Sequence, residues 1–365
     1  MSEVVWKTLG DICNIMNGKD YKKEGDGEVP VYGSGGIMTY IDKAMSSKPS
    51  VLLPRKGSLN NVFYVDTPFW TVDTIYWTDI KDNTVPKYFY YYMTTINLEA
   101  MNIATGAVPS MTKAILNKIV IPVPKDPHRQ QQIVNQLDTF TSLISRLESE
   151  LELRQKQYEH YREELLSFEG DKEVEWKSIG SCSQVEKGNG VEKKDFIPEG
   201  VGCIHYGQIY QHYPLFAFKT NKFVSHQVAA KAKKACTYDI IMTSTSENVE
   251  DICKCVVWLG EETVAVSAHA AIITTSLNPK YFAYCTLTNS FFKEKKKYAR
   301  GTKVIEIRKD QIESIIIPVP KDPHRQQQIV DKLDMFEQLI AALKREIALR
   351  KKQYTYYREK LLTFE

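Results

Sequence analysis

The chain has 365 residues, of which 43% are hydrophobic and 25% charged, with a formal net charge of +3. That is the composition of a globular protein long enough for two domains with cores of their own and further helices. No segment has the layout of a signal peptide and no run reaches the roughly 18 apolar residues of a membrane span, so a cytoplasmic location is expected.

In chain order, the first recognisable element is VVWKTLGD (residues 4–11), which returns as VEWKSIGS (174–181). YGSGGIM (32–38) reads as a tight turn, because it lacks the spacing of a phosphate-binding loop. Short β-rich runs at 50–53 and 61–66 are followed by a helical pattern at 86–95. Gly106, in ATGAVPSM, stands where Gly301 stands in ARGTKVIE, and each lets a loop pass close to another backbone or to phosphate.

IVIPVPKDPHRQQQIV (119–134) is repeated almost letter for letter as IIIPVPKDPHRQQQIV (315–330). Pro122, Pro124 and Pro127, with Pro318, Pro320 and Pro323, place helix starts at about Pro127 and Pro323, with Asp126 and Asp322 as N-caps. From Ile133 the apolar seam runs through Leu137, Phe140, Ile144, Leu147 and Leu151 to Phe168 at strict 4-3 spacing. From Ile329 it runs through Leu333, Phe336, Ile340, Leu343 and Ile347 to Phe364 at the same spacing. Such a seam predicts a coiled coil about 36 residues long, on the order of 54 Å. Arg154 and Arg350 sit at d positions of the seam. Two readings stand: they snorkel to the surface where the helices splay, or they pin the register by pairing with a glutamate across the interface.

The second segment repeats the first in outline, with β-rich runs at 240–243 and 270–275 and a helical pattern at 279–297. The whole chain's seven-cysteine complement is odd and scattered, with neither a disulfide framework nor zinc-site spacing, and inert buried thiols are expected. The acidic group Asp239, Glu247, Glu250 and Asp251 reads as a solvated loop.

The element order is therefore A, helix, A′, helix′, and the end would join to the start. The predicted fold class is α+β, two globular domains joined by two long antiparallel coiled-coil helices, pseudo-two-fold and circularly organised. The expected divisions are 1–126, 127–169, 170–322 and 323–365.

The WKTLGD and WKSIGS openings, the stretch KGNGVEKKDFIPEGVGCIHYGQIY (187–210), the IPVPKDPHRQQQIV joints and the two long helices carry a family resemblance over the whole length. The chain resembles the specificity (S) subunit of a Type I restriction-modification system. The resemblance implies two target-recognition domains, each reading half of a bipartite double-stranded DNA sequence, with paired helices that set the unread gap and bind two methyltransferase (M) subunits. It further implies S-adenosylmethionine in those partners, ATP and Mg in partner restriction (R) subunits, no cofactor on this chain and no membrane. The net charge of +3 is low for a free-standing DNA binder, but partner subunits supply further phosphate contacts.

Under that implication, candidate DNA-binding residues in the first domain are Lys19, Tyr21, Lys22, Lys56, Ser58, Asn60, Asn61, Thr71 and Asp73. In the second they are Lys193, His205, Tyr206, Gln208, Thr243, Ser244, Thr245, Asn248, Lys295, Lys296, Arg300 and Lys303. Their donor and acceptor types fit base edges and phosphates; ordinary turn chemistry and a solvated helix face are the competing readings. No metal ligand set, methyltransferase motif, P-loop or nuclease constellation is present, so the chain reads as non-catalytic. The rival is a symmetric coiled-coil adaptor whose end domains bind proteins.

Overall fold

A computed structural model describes residues 4–81, 83–101, 109–301 and 303–364. Gly106 lies outside the described residues. Two compact units make up the chain, residues 1–149 with 344–365, and residues 150–343. The first unit thus takes in both ends of the sequence, as the out-of-phase repeat requires.

The first unit holds a four-stranded sheet in the order Cys13–Asn17, Ile75–Ile80, Ser50–Pro54, Phe63–Val65, and a three-stranded sheet in the order Gly36–Ile41, Asp26–Gly33, Trp70–Thr71. The second holds a five-stranded sheet whose first three strands are Ser183–Lys187, Ala270–Thr275 and Ile240–Thr243. Its four-stranded sheet contains Val201–Ile204 beside Val264–Val266. In each unit the echoed opening forms a two-stranded ribbon with the proline-rich joint, Val4–Thr8 with Val120–Pro124 and Val174–Ser178 with Ile316–Pro320, in the same register. The prolines are tolerated because each ribbon is only two strands wide, leaving an open edge on both of its strands. Leu9 and Ile179 follow these ribbon strands and are fully buried.

The sequence pattern at 279–297 resolves into two helices, Pro279–Cys285 and Asn289–Tyr298, because Thr288 caps a new N-terminus by accepting from the Phe291 N–H. The long helices span Pro127–Leu165 and Pro323–Leu362. Their caps are Asp126 and Asp322, whose carboxylates accept from the His128 and His324 N–H groups at 2.9 Å. Within the first unit the helices run antiparallel: Leu137 and Leu362 share one cluster, Phe140 stacks on Tyr357, and Lys351 pairs with Glu148. In the second unit Tyr158 and Tyr161 meet Phe336.

Arg154 and Arg350 settle one expectation. Arg154 bonds Glu150 and Gln157, and Arg350 bonds Glu346 and Gln353, at 2.7–2.9 Å in each case. These partners are on the same helix, and the arginine side chains are 39% and 38% exposed. The register-pin reading is corrected: a guanidinium that leaves the seam and folds along its own helix avoids the desolvation a cross-interface pair would require.

A third echo joins each long helix to its globular part. PKYFYYYM (86–93) and PKYFAYC (279–285) are short helices of matching design. Tyr91 and Lys87 both bond Asp138, at 2.5 and 2.9 Å, while Tyr284 and Lys280 both bond Asp334, at 2.7 and 2.5 Å. Tyr88 donates to the Pro122 carbonyl and Tyr281 to the Pro318 carbonyl. Gln130 and Gln326, 0% and 4% exposed, accept from the Val85 and Asn278 N–H groups. Replacing Asp334 by alanine strands the Tyr284 hydroxyl and the Lys280 ammonium. It is expected to cost about 1.5–3 kcal/mol in urea unfolding of the full chain, as is Asp138→Ala; an unchanged midpoint would show that packing alone holds the joint.

Candidate nucleic-acid interface

Outside the echoes the two globular parts differ in sequence, yet their backbones are tied at matching positions. In the first unit Lys19 N donates to Thr71 O, Val72 N to Tyr32 O, Arg55 N to Thr74 O and Met111 N to Arg55 O, all at 2.8–2.9 Å. In the second, Asn189 N donates to Val266 O, Ser267 N to Ile204 O, Ser244 N to His269 O and Ile307 N to Ser244 O, at 3.0–3.2 Å. The parallel strand pairs agree, with Tyr32 opposite Thr71 and Ile204 opposite Val266. This correspondence sets Ser34 against Tyr206, Arg55 and Lys56 against Ser244 and Thr245, and Thr74 against His269.

Glycine is required at one matched pair. A Cβ at Gly18 would lie 1.9 Å from Val72 O, and one at Gly188 would lie 2.3 Å from Ser267 O. Only a bare Cα lets the chain after each first sheet strand cross so close to the neighbouring turn.

In the first unit this crossing gathers four segments. Lys56 forms a bridge with Ser110 and its ammonium lies 3.5 Å from the Asp73 carboxylate, both groups well exposed. Arg55 donates to the Asp73 carbonyl and lies over the Tyr76 ring. Asn61 donates to the Ser34 carbonyl, and Asn60 exchanges hydrogen bonds with Glu99. An exposed ion pair such as Lys56 with Asp73 is weak enough to be exchanged for a phosphate or a base edge.

In the second unit the matching place is aromatic. His205 lies tilted against Tyr206, ring centroids 4.4 Å apart, and meets Phe196 edge-on, and Tyr206 is edge-on to His269 and Tyr210. Burial, with the charges of Lys193 and His269 adding to it, pushes the His205 pKa down to about 4. The neutral ring therefore accepts from Gly207 N through Nδ1. Tyr210 donates to the Thr245 carbonyl. Thr245–Ser246 pairs with Ile305–Glu306, and the Arg300 backbone bridges to Glu306, so Lys303 sits exposed in the turn between. Gly301, at φ +127°, makes that turn.

The description Type I restriction modification DNA specificity domain belongs to a family model that matches residues 1–153 and 210–349. The chain belongs to this family. It is similar to the type I restriction enzyme EcoR124I/EcoR124II specificity subunit of Escherichia coli, at 29% identity over 99% of this chain and 95% of that one. It is similar also to a putative type I restriction enzyme specificity subunit of Haemophilus influenzae, at 28% identity over 100% and 96%. Among solved structures, an S subunit from M. genitalium matches with a TM-score of 0.66 at 14% identity, over 100% of this chain and 97% of that one. A structure of type I R-M complex assembly matches at 0.60 and 16%, over 98% and 96%. The fold is that of type I S subunits, and the chain is a non-catalytic DNA specificity subunit.

Against that role the residues singled out by sequence divide into two groups. Lys19, Lys22, Lys56, Ser58, Asn60, Asn61 and Asp73 are exposed in the first unit, as are Lys193, Asn248, Lys296, Arg300 and Lys303 in the second, with Tyr206 half-buried. The others, Tyr21 apart, are corrected. Thr71 and Thr243 are fully buried strand residues, and Ser244 and Thr245 are covered at 7% and 6% exposure. His205 and Gln208 are buried supports, Gln208 bonding His205 N and Asn221. Tyr21, half-buried like Tyr206, packs beside Val31 and Trp70 and stays a candidate. Lys295 is 5% exposed and donates to the Glu250 and Ile252 carbonyls, so it is no surface phosphate ligand. Ser34, Arg55 and His269, not singled out in the sequence, are brought to these places by long-range hydrogen bonds, and Tyr210 by the helix it shares with Tyr206.

The acidic group also comes apart. Asp239 is tied to Cys236 N and Thr274, while Asp251 pairs with Lys254 and Asn248. Among the described residues no cluster of His, Cys, Asp or Glu could hold a metal, and no helix is long and apolar enough to cross a membrane. Gly188→Ala is expected to destabilise the chain by about 1–3 kcal/mol through the clash with Ser267 O, lowering Tm. An unshifted Tm would mean that the crossing relaxes freely.

Proposed function

We propose that the chain reads a bipartite double-stranded DNA target, one half-site with each unit, through the surface where the matched crossings lie. It thereby directs adenine methylation by two M subunits carrying S-adenosylmethionine, and cleavage of unmethylated DNA when R subunits using ATP and Mg join, in the cytoplasm. The observation that carries this reading is the shared backbone skeleton bearing unlike side chains: Ser34, Arg55, Lys56 and Thr74 on one copy, Tyr206 and His269 on the other. One scaffold with two chemistries suits two different half-sites. Contacts proposed for the first half-site are Lys19, Tyr21, Lys22, Lys56, Ser58, Asn60, Asn61 and Asp73. Those for the second are Lys193, Tyr206, Asn248, Lys296, Arg300 and Lys303.

The deciding experiment is to co-express the chain with its M subunit in a host without adenine methylation and map modified adenines across the genome. A split motif with a fixed gap is the expected result. Methylation independent of this chain would favour the protein-binding adaptor.

Two variants refine the reading. Lys56→Ala is expected to lower discrimination at one half-site by about 1–3 kcal/mol, whereas Lys303→Ala weakens binding evenly across sequences and reduces the salt slope by about 1; the reverse pattern would exchange their roles. Removing one heptad from each unbroken long helix shortens it by about 10 Å. The unread gap is then expected to contract by roughly three base pairs at 3.4 Å each, and an unchanged gap would remove the helices as its determinant.

A further inference from the structure

In the second unit, helix Asn289–Tyr298 carries three consecutive lysines, of which Lys296 and Lys297 are exposed and Lys295 is not. Lys295 stands one turn after Phe291, which is 2% exposed, on the face turned into the unit. A buried ammonium is costly unless its donors are satisfied. Here two of them are, by the Glu250 carbonyl at 2.8 Å and the Ile252 carbonyl at 2.7 Å, with the Phe292 ring 5.3 Å away.

Both carbonyls belong to the loop that leaves the Thr245–Ser246 strand. That loop is bonded to itself throughout: Asn248 N donates to Ser246 Oγ, Asp251 N to Asn248 Oδ1, and the Asn248 amide to the Asp251 carboxylate. Lys254 pairs with Asp251 at 2.6 Å. The loop returns to the strand Ile240–Thr243 through Cys253, whose N–H donates to Thr243 O. Cys253 is buried and holds φ at +62°, a conformation a cysteine adopts only where its surroundings impose it. The Ile252 carbonyl, next to it in the chain, is one of the two held by Lys295. The first unit secures its corresponding loop differently, with Leu59 buried and Asn60 bonded to Glu99.

We propose that Lys295 is a positioning residue for sequence readout, its ammonium clamping the Glu250 and Ile252 carbonyls so that the loop presents Asn248 beside the Thr245–Ser246 strand in one fixed geometry. The inference rests on the second unit being a half-site reader. It assigns Lys295 to specificity through the loop, and not to phosphate contact.

The test maps methylated adenines for the full chain co-expressed with its M subunit, comparing wild type with Lys295→Met and Lys295→Arg. Lys295→Met keeps the length and loses the donors; it is expected to lower discrimination by about tenfold at one or more positions of a single half-site. The other half-site and the gap stay as in wild type, and Lys295→Arg, which keeps donors, restores discrimination. If Lys295→Met is insoluble, Lys295→Gln, with one amide donor group, is mapped in its place with the same expectation. Methylation that falls at all sites with the motif unchanged overturns the proposal in favour of a merely structural lysine. An even loss with a shallower salt slope overturns it in favour of phosphate contact. A wild-type chain giving no split motif overturns the functional reading itself, a result seen without any variant.

Discussion

Everything that the two units present depends on how each long helix is fastened to its globular part. The fastening is a buried glutamine. The Gln130 amide accepts from Val85 N and donates to the Asn83 and Pro124 carbonyls, with no exposed surface. A buried amide that loses such partners costs more than the bonds contribute when made, so the helix start cannot slide or rotate without stranding polar groups. Asp138, holding Tyr91 and Lys87 two turns later, fixes the rotation a second time. Gln326 and Asp334 act likewise in the other unit. The near-identity of the two HRQQQIV joints follows, because joint chemistry is indifferent to which bases are read, whereas the surface beyond it is not.

What was legible in the sequence was local. Prolines, aspartate caps and the 4-3 seam are set by residues a few places apart, and they appear in the structure at Pro127, Asp126 and along Ile133 to Ile144. The seam fades toward the helix C-termini, where Tyr161 and Tyr357 are 38% and 36% exposed while Leu166 and Leu362 are buried. There the helices serve the globular parts as well as each other, and a strict heptad no longer describes the buried face. The fate of Arg154 and Arg350 was also written locally, in a glutamate four residues before and a glutamine three after.

The interface was far less legible, for a physical reason. It is defined by backbone bonds between segments distant in sequence, such as Arg55 N to Thr74 O and Ser244 N to His269 O, which impose no side-chain pattern. Choosing residues by donor type therefore drew in Thr71, Thr243 and Ser244, polar residues that the same strands bury. Lys295 is the instructive exception. Phe291, Lys295 and Tyr298 recur at helical spacing, so the charge run had an apolar face passing through it; composition hid what periodicity contained.

The two crossings differ in chemistry. On the matched positions the first unit carries Lys19, Arg55 and Lys56, and the second carries Asn189, Ser244 and Thr245 beside the Tyr206, His205 and His269 rings. Cations contribute a salt-dependent attraction to any duplex, whereas rings and amides held by buried hydrogen bonds contribute shape and edge complementarity. The formal net charge of +3 leaves the 48 lysines and arginines nearly balanced by 45 aspartates and glutamates. The chain's physical economy is to fix geometry: buried polar groups at the joints and beneath the 247–253 loop hold a few exposed side chains in place.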